Sequence, residues 1–214
     1  MATLTLSLLI ADDHPVVRQG LKRILNETPG LSVTAEASNG AEALDAVKKQ
    51  AFDAVLLDIS MPGMSGLDVL KQIRLLKPDL PVLVLSVHPE SQYALRVLKA
   101  GASGYISKDE DPDKLIEAVR LVIQGKKYIS PWMADKLADD VVKRREGEVH
   151  ELLSDRELTV LCMIATGKTV SAIAEELNLS VKTISTYRSR LLKKMGMATN
   201  AELTHYAIVN HLVD

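Results

Sequence analysis

The chain has 214 residues, 47% of them hydrophobic and 25% charged, with a formal net charge of −2 at neutral pH. This length suits two domains better than one, because single hydrophobic cores cluster near roughly 100–150 residues, and the balance excludes disorder as the main state. The longest charge-free runs, residues 1–11 and 203–213, are eleven residues each, well short of the roughly 20 that a membrane helix needs. No membrane span and no membrane partner are expected. Residues 1–11 also lack the basic start and small-residue cleavage site of a signal peptide, and a cytoplasmic location follows as the expectation. The single cysteine, Cys162, sits among Leu161, Met163 and Ile164 and reads as a buried filler, with no second cysteine for a disulfide or a metal cluster.

Along the first 125 residues, short apolar runs alternate with helical patterns. Strands are predicted over 6–11, 31–37, 54–58, 82–86 and 104–107. Helices are predicted over 16–26, 41–49, 66–77, 91–100 and 112–124, the last carrying Leu115, Val119 and Val122 on one face. Five successive β-α units specify a doubly wound parallel sheet. Asp111 is expected to cap the helix that Pro112 opens. The first domain is therefore placed at 1–125. A linker follows over 126–152, dense in charges of both signs from Asp135 to Glu151, including the run 143–148, and partly helical. From 153 to 214 the pattern is all helical, with helices near 155–166, 169–177, 181–195 and 200–211. Ser154 and Glu157 stand at the spacing of a reciprocal N-terminal cap. There is no internal repeat.

Ligands bind open parallel sheets outside the carboxyl ends of the strands. There the sequence places Asp12-Asp13 after the first strand, Asp58 at the end of the third, Ser86 at the end of the fourth, and Tyr105 to Lys108 along the fifth. Three acids, a hydroxyl and an ammonium thus share one edge. Carboxylates so close repel one another unless a divalent cation or an ammonium compensates, and Mg²⁺ suits hard oxygen ligands and bridges carboxylates to phosphoryl groups. A carboxylate in that setting is also a nucleophile able to form an aspartyl-phosphate, which the cation and Lys108 would stabilise.

Asp12-Asp13, the segment Asp58-Ile59-Ser60-Met61-Pro62-Gly63-Met64-Ser65-Gly66, Ser86 and Tyr105-Ile106-Ser107-Lys108 resemble the receiver domain of bacterial two-component response regulators, over about residues 5 to 125. The resemblance implies a flavodoxin-like fold in which Asp58 accepts phosphate from the histidine of a sensor kinase or phosphotransfer protein. It implies that Asp12, Asp13, Asp58 and the carbonyl of Ser60 hold Mg²⁺, that Ser86 and Lys108 engage the phosphoryl oxygens, and that Tyr105 turns into the space Ser86 leaves. His14 and His88 flank the pocket, and nothing marks either as a phosphate carrier.

In the last third, residues 169–178 form one helix with Val170, Ile173, Ala174 and Leu177 on one face. Leu179-Ser180 turns into the next, with Ser180 as its N-cap. In that helix Val181, Ile184, Leu191, Leu192 and Met195 are expected inward, and Lys182, Ser185, Thr186, Ser189 and Lys193 outward. No acid occurs from Asn178 to Ala201, whereas Lys182, Arg188, Arg190, Lys193 and Lys194 supply five positive charges. An acid-free face of small hydroxyls and long cations suits the major groove of double-stranded DNA.

The stretch 153–161, with Gly167, Ile173-Ala174 and 179–187, resembles the LuxR-type helix-turn-helix domain over about residues 150 to 214, and together the halves resemble the NarL/FixJ class of response regulators. By that resemblance Ser185, Thr186 and Ser189 meet base edges, while Lys182, Arg188, Arg190, Lys193 and Lys194 mostly neutralise phosphates. The segment Ile184-Ser-Thr-Tyr187 departs from the usual residues of the recognition helix, so no target sequence carries over. The last helix has an apolar stripe of Ala201, Leu203, Ala207, Ile208 and Leu212 that completes the core or pairs two copies. The family implies a homodimer on DNA, with RNA polymerase as a further partner. The expected function is phosphorylation-controlled, sequence-specific DNA binding rather than an enzymatic one. The enzyme alternative, a haloacid-dehalogenase-like phosphatase, is disfavoured by Ser60 where such enzymes carry a second aspartate. A DNA binder or interaction scaffold that makes no use of its acidic pocket is the other alternative.

Overall fold

The computed structural model describes residues 5–142 and 149–213, so the charged run 143–148 lies outside the described residues. The chain divides into two compact units, residues 1–134 and 135–214. In the first, β1 (Leu6–Ala11), β2 (Leu31–Ala37), β3 (Ala54–Asp58), β4 (Val82–Ser86) and β5 (Gly104–Ser107) form one sheet in the order β2-β1-β3-β4-β5. All its ladders are parallel. β3 and β4 are buried along their whole length, which is why they read as continuous apolar runs rather than alternating ones.

Helices α1 (Pro15–Glu27), α2 (Gly40–Lys49), α3 (Gly66–Leu76), α4 (Glu90–Lys99) and α5 (Pro112–Ile123) connect the strands. Because successive side chains of a strand point to opposite faces, one face presents Leu8, Ile10, Leu56, Leu83, Leu85 and Ile106 to Leu25 of α1 and to Leu115, Ala118, Val119 and Val122 of α5. Leu9, Val55, Leu57, Val84 and Tyr105 are buried from the other side. Local chemistry sets the helix starts: Asn39 accepts from Glu42 N–H and Ser65 from Asp68 N–H. Asp111 makes no such bond, contrary to expectation, so the preset backbone of Pro112 is the local feature that favours a helix start there.

The first unit extends past Gly125, where the sequence ends it, for a visible reason. Tyr128 bridges to Gly104 beside the edge strand β5, its N–H bonding Ser103 O at 2.9 Å, and Met133 is wholly buried. Helix α6 (Pro131–Val142) begins there and gives the linker region its helical part.

The second unit contains a short 3-10 turn (Val149–Leu152), α7 (Asp155–Ala165), α8 (Val170–Glu176), α9 (Val181–Met195) and α10 (Asn200–Val209). Leu158, Leu161, Ile173, Ile184, Leu191, Leu203 and Ala207 form its core, and Cys162 is buried with them. The turn between α8 and α9 passes through Asn178 at φ 52°, a left-handed conformation that asparagine tolerates better than most residues. Ser180 then caps α9 by accepting from Thr183 N–H.

Candidate functional site

The parallel arrangement brings the ends of β1, β3, β4 and β5 to one edge. Asp12 and Asp58 are buried there. The Lys108 ammonium lies 2.7 Å from Asp12 Oδ2 and 2.9 Å from Asp58 Oδ2. Lys108 is held at this edge by its own backbone, whose N–H bonds Ser86 O at 2.8 Å. Asp12, Asp13, His14 and Asp58 each offer one ligand atom, all within 4.8 Å of one another. His14 Nδ1 stands 2.8 Å from Asp13 Oδ1, so the imidazole does more than flank the pocket.

Three enclosed oxygens, Asp12 Oδ2, Asp13 Oδ1 and Asp58 Oδ2, are met among the described residues only by the shared Lys108 ammonium and the His14 imidazole. Buried acceptors in that condition are expensive unless something else meets them. Three hard carboxylate donors with unused lone pairs fit a divalent cation of the Mg²⁺ type. The electrostatics agree. Burial pushes the Asp58 carboxyl above the ordinary carboxylate value, more than Lys108 and the Ser60 N–H pull it down. Burial also works against the Lys108 charge, but Asp58 and Asp12 outweigh it and hold the ammonium above its usual value. A single ammonium thus leaves the acids undercompensated.

Around this centre, Ser60 N–H donates to Asp58 Oδ1 at 3.1 Å and Ser60 Oγ meets His88 Nε2 at 3.1 Å. Ser86 Oγ accepts from His88 N–H at 2.9 Å. Tyr105 is already inside: it is fully buried and its hydroxyl donates to His88 O at 2.7 Å. Burial raises the Tyr105 phenol well above its ordinary value, so the hydroxyl stays a donor at any physiological pH. Arg18, which the sequence did not single out, donates from Nη1 to Asp12 O at 2.6 Å and fixes the start of the acidic loop. Its position one turn into α1 was the only available signal.

In the second unit, Lys182, Ser185, Thr186, Ser189, Arg190 and Lys193 are exposed on α9, and Ile184, Leu191 and Met195 are buried. Val181 is 51% exposed, not inward as expected, because it stands at the first helical position, before the helix has turned its apolar face to the core. Thr186 and Ser189 spend their hydroxyl protons on the carbonyls of Lys182 and Ser185. Two of the predicted cations have internal partners. Arg188 Nε donates to Asn200 Oδ1 at 2.6 Å, and Lys194 Nζ lies 2.6 Å from the buried Glu157 Oε2. Of the predicted apolar stripe, Leu203 and Ala207 on α10 and Leu212 beyond its end belong to the core, whereas Ala201 and Ile208 face outward.

Glu157 performs two tasks that sequence spacing could not separate. Its carboxylate closes the capping box with Ser154 and, from α7, anchors Lys194 at the end of α9. Burial opposes the charge, yet Lys194 and the Ser154 N–H hold the carboxyl below the usual range. The folded group therefore titrates below the unfolded one. Its contribution is in place above the ordinary carboxylate value and is lost as pH falls through the lowered one. Glu157→Gln is expected to destabilise the second unit by about 2 kcal/mol, because the half-exposed Lys194 can rehydrate. Urea denaturation followed in the second unit checks this, and an unchanged midpoint would show the pair to be incidental.

Comparison with known proteins agrees with both halves. A family model described as the response regulator receiver domain matches residues 8–120, and one for the bacterial regulatory proteins of the luxR family matches residues 151–207. Response regulator UvrY of Escherichia coli strain K12 is 39% identical over 204 residues, covering 95% of this chain and 94% of that protein. Response regulator GacA of Pseudomonas aeruginosa is 35% identical, with 98% of each chain covered. Among solved structures, RcsB from Salmonella enterica serovar Typhimurium, bound to promoter rprA in the presence of phosphomimetic BeF3-, aligns with a TM-score of 0.63 at 26% identity, covering 94% of this chain and 98% of that one.

Proposed function

The chain belongs to the two-component response regulators that join a receiver domain to a LuxR-type DNA-binding domain, transcription regulators rather than enzymes, and we propose that phosphorylation of its Asp58 controls its binding to DNA. The observation that carries this reading is that Asp12 and Asp58, both buried, share the single ammonium of Lys108, with Asp13 beside them met only by the His14 imidazole among the described residues.

In the proposed transfer, an Asp58 carboxylate oxygen forms a bond to phosphorus as the nitrogen–phosphorus bond of a phosphohistidine breaks. The phosphohistidine belongs to a sensor kinase or phosphotransfer protein, and its imidazole leaves with the bonding electrons and takes up a proton. Lys108 is placed to meet the charge arriving on the phosphoryl oxygens, and Ser86 to hydrogen-bond one of them. Asp12, Asp13, Asp58 and the Ser60 carbonyl are the residues that would hold Mg²⁺. When bound, the cation offsets the crowded carboxylates and the charge of the transferring group. Adding roughly −1.5 to −2 of charge and three acceptor oxygens biases the segment between β4 and α4 toward one packing.

On the DNA side, Lys182, Arg190 and Lys193 are the cations of α9 without an internal partner among the described residues, and they meet phosphates. Arg188 and Lys194 keep some donors for the same purpose after meeting Asn200 and Glu157. Ser185, Thr186 and Ser189 face base edges in the major groove. A homodimer on paired half-sites is part of the proposal, supported by Ile208 and Val209 standing 50% and 60% exposed on α10. The whole acts in the cytoplasm, where both a kinase and the chromosome are within reach.

The test uses the full chain and a duplex selected by it from a random-sequence pool, titrated by fluorescence anisotropy with and without beryllofluoride and Mg²⁺. Tightening of about tenfold is expected, within the usual range of coupling between two sites. Equal affinity under both conditions would overturn the gate and leave a DNA binder that ignores its pocket.

A further inference from the structure

Beyond the pocket and the DNA face, a run of hydrogen bonds leads from the first to the start of the linker helix. It begins at Ser86, whose hydroxyl takes the His88 N–H at 2.9 Å, and continues through the His88 carbonyl, which takes the Tyr105 hydroxyl at 2.7 Å. The chain held at these two points is only three residues long before α4 begins at Glu90. Glu90 then reaches away from this segment: its Oε2 accepts from Ser130 Oγ at 2.6 Å. Ser130 in turn caps α6, its Oγ accepting from Met133 N–H at 3.1 Å and its carbonyl from Ala134 N–H at 2.9 Å. Met133 is wholly buried, so the first turn of α6 is seated in the first unit and does not slide freely.

We infer that Glu90 and Ser130 are positioning residues that pass the state of the Asp58 pocket to α6, and through it to the chain that leads to the DNA-binding unit. The inference rests on the phosphate gate proposed above. Any change that draws on Ser86 moves the segment 87–89, and the first residue after that segment carries the carboxylate that orients the cap of α6. A charge-assisted hydrogen bond is short-ranged and directional, so it transmits displacement of its acceptor where apolar packing would absorb it. The Ser130 hydroxyl serves one acceptor and one donor at once, and turning it away from Glu90 also disturbs the bond to Met133 N–H.

Two variants break the link from opposite sides. Glu90→Ala removes the acceptor and leaves the Ser130 cap intact. Ser130→Asp keeps a strong capping oxygen for α6 and sets a like charge against Glu90. Each is compared with the wild-type full chain for labelling of Asp58 by a small phosphodonor and for DNA affinity with and without beryllofluoride and Mg²⁺. Hydrogen exchange over 131–142 reports whether α6 is retained. The expected result is normal labelling and unchanged affinity in the absence of beryllofluoride, with the beryllofluoride-dependent gain reduced by up to about tenfold in both variants, the worth of one charge-assisted hydrogen bond. A merely structural bond would alter both affinities alike and leave their ratio untouched. Retention of the wild-type gain in either variant overturns the inference while leaving the gate standing. A wild-type chain that shows no gain brings down the gate and the inference together.

Discussion

Asp58→Asn is expected to abolish labelling by a phosphodonor and to erase the donor-dependent gain in DNA affinity, of about tenfold, while leaving the basal affinity of the second unit as it was. The amide keeps the shape of the side chain and can still accept the Ser60 N–H that Asp58 Oδ1 takes at 3.1 Å, so loss of folding is not the expected cause. The stability change should run in the other direction. Burial raises the folded Asp58 carboxyl above its unfolded value. The folded state therefore binds the proton more tightly than the unfolded one, and stability falls as pH rises from the ordinary carboxylate range through the raised value. At neutral pH the ionised carboxylate is a destabilising element, held for its chemistry. Removing its charge should leave the unfolding midpoint of the first unit at or above that of the wild type, and the difference should shrink as the solution is acidified. Differential scanning calorimetry across that range, beside an anisotropy titration, measures both effects. A variant that still gains affinity with donor would mean another group takes the phosphate.

Gly66→Ala should be the most disruptive single methyl in the first unit. A Cβ at position 66 would stand 2.0 Å from Asp58 O, 2.7 Å from Ile59 Cα and 2.9 Å from Asp58 C. All three are backbone atoms, so no rotamer change relieves the clash. Gly66 N–H also bonds Ile59 O at 3.0 Å, which ties the start of α3 to the strand end that carries Asp58. Either α3 withdraws or the end of β3 shifts, and a shift of that backbone displaces the pocket's central carboxylate. A loss of at least about 3 kcal/mol is expected, at the upper end of what overpacking does because the obstacle is main chain. Phosphodonor labelling should fall with it, even at temperatures where the variant remains folded. Urea denaturation and labelling on the same sample test this, and a variant as stable and as reactive as wild type would show that the two backbones separate easily.

These two positions illustrate how unevenly the site is written in the chain. Asp58 was legible because three acids, a hydroxyl and a lysine recur at strand ends, where periodicity alone assigns the strands. Gly66 entered only as the last residue of the segment that resembles the receiver motif, with no chemistry of its own to mark it. Within the sequence it is a glycine in a turn-rich segment, and only the approach of α3 to the end of β3 gives its missing side chain a reason. For Tyr105 the resemblance implied the inward turn, but only the fold supplies the partner of its hydroxyl, a carbonyl seventeen residues away in the chain. Lys194 counted as one more cation on a basic face until the fold set it against Glu157, and Arg188 until it met Asn200.

What the sequence determined by itself was whatever repeats with a local period or sits beside its partner in the chain. The five strands, the apolar runs that bury them, the capping residues of α7 and α9, and the division into an α/β and an all-helical part are of this kind. Each depends on interactions within a few residues or on a hydrophobic pattern that any neighbour would satisfy. The tertiary structure alone decided which charges are answered and which are not. It set three carboxylate oxygens against one ammonium and one imidazole, gave the Tyr105 hydroxyl the carbonyl of His88, withdrew two cations of α9 into internal contacts, carried the first unit on to Met133 and brought Glu90 to Ser130. Those outcomes depend on distances between atoms far apart in the chain, and electrostatic and hydrogen-bond energies fall off too steeply with distance and angle to be inferred from order along it.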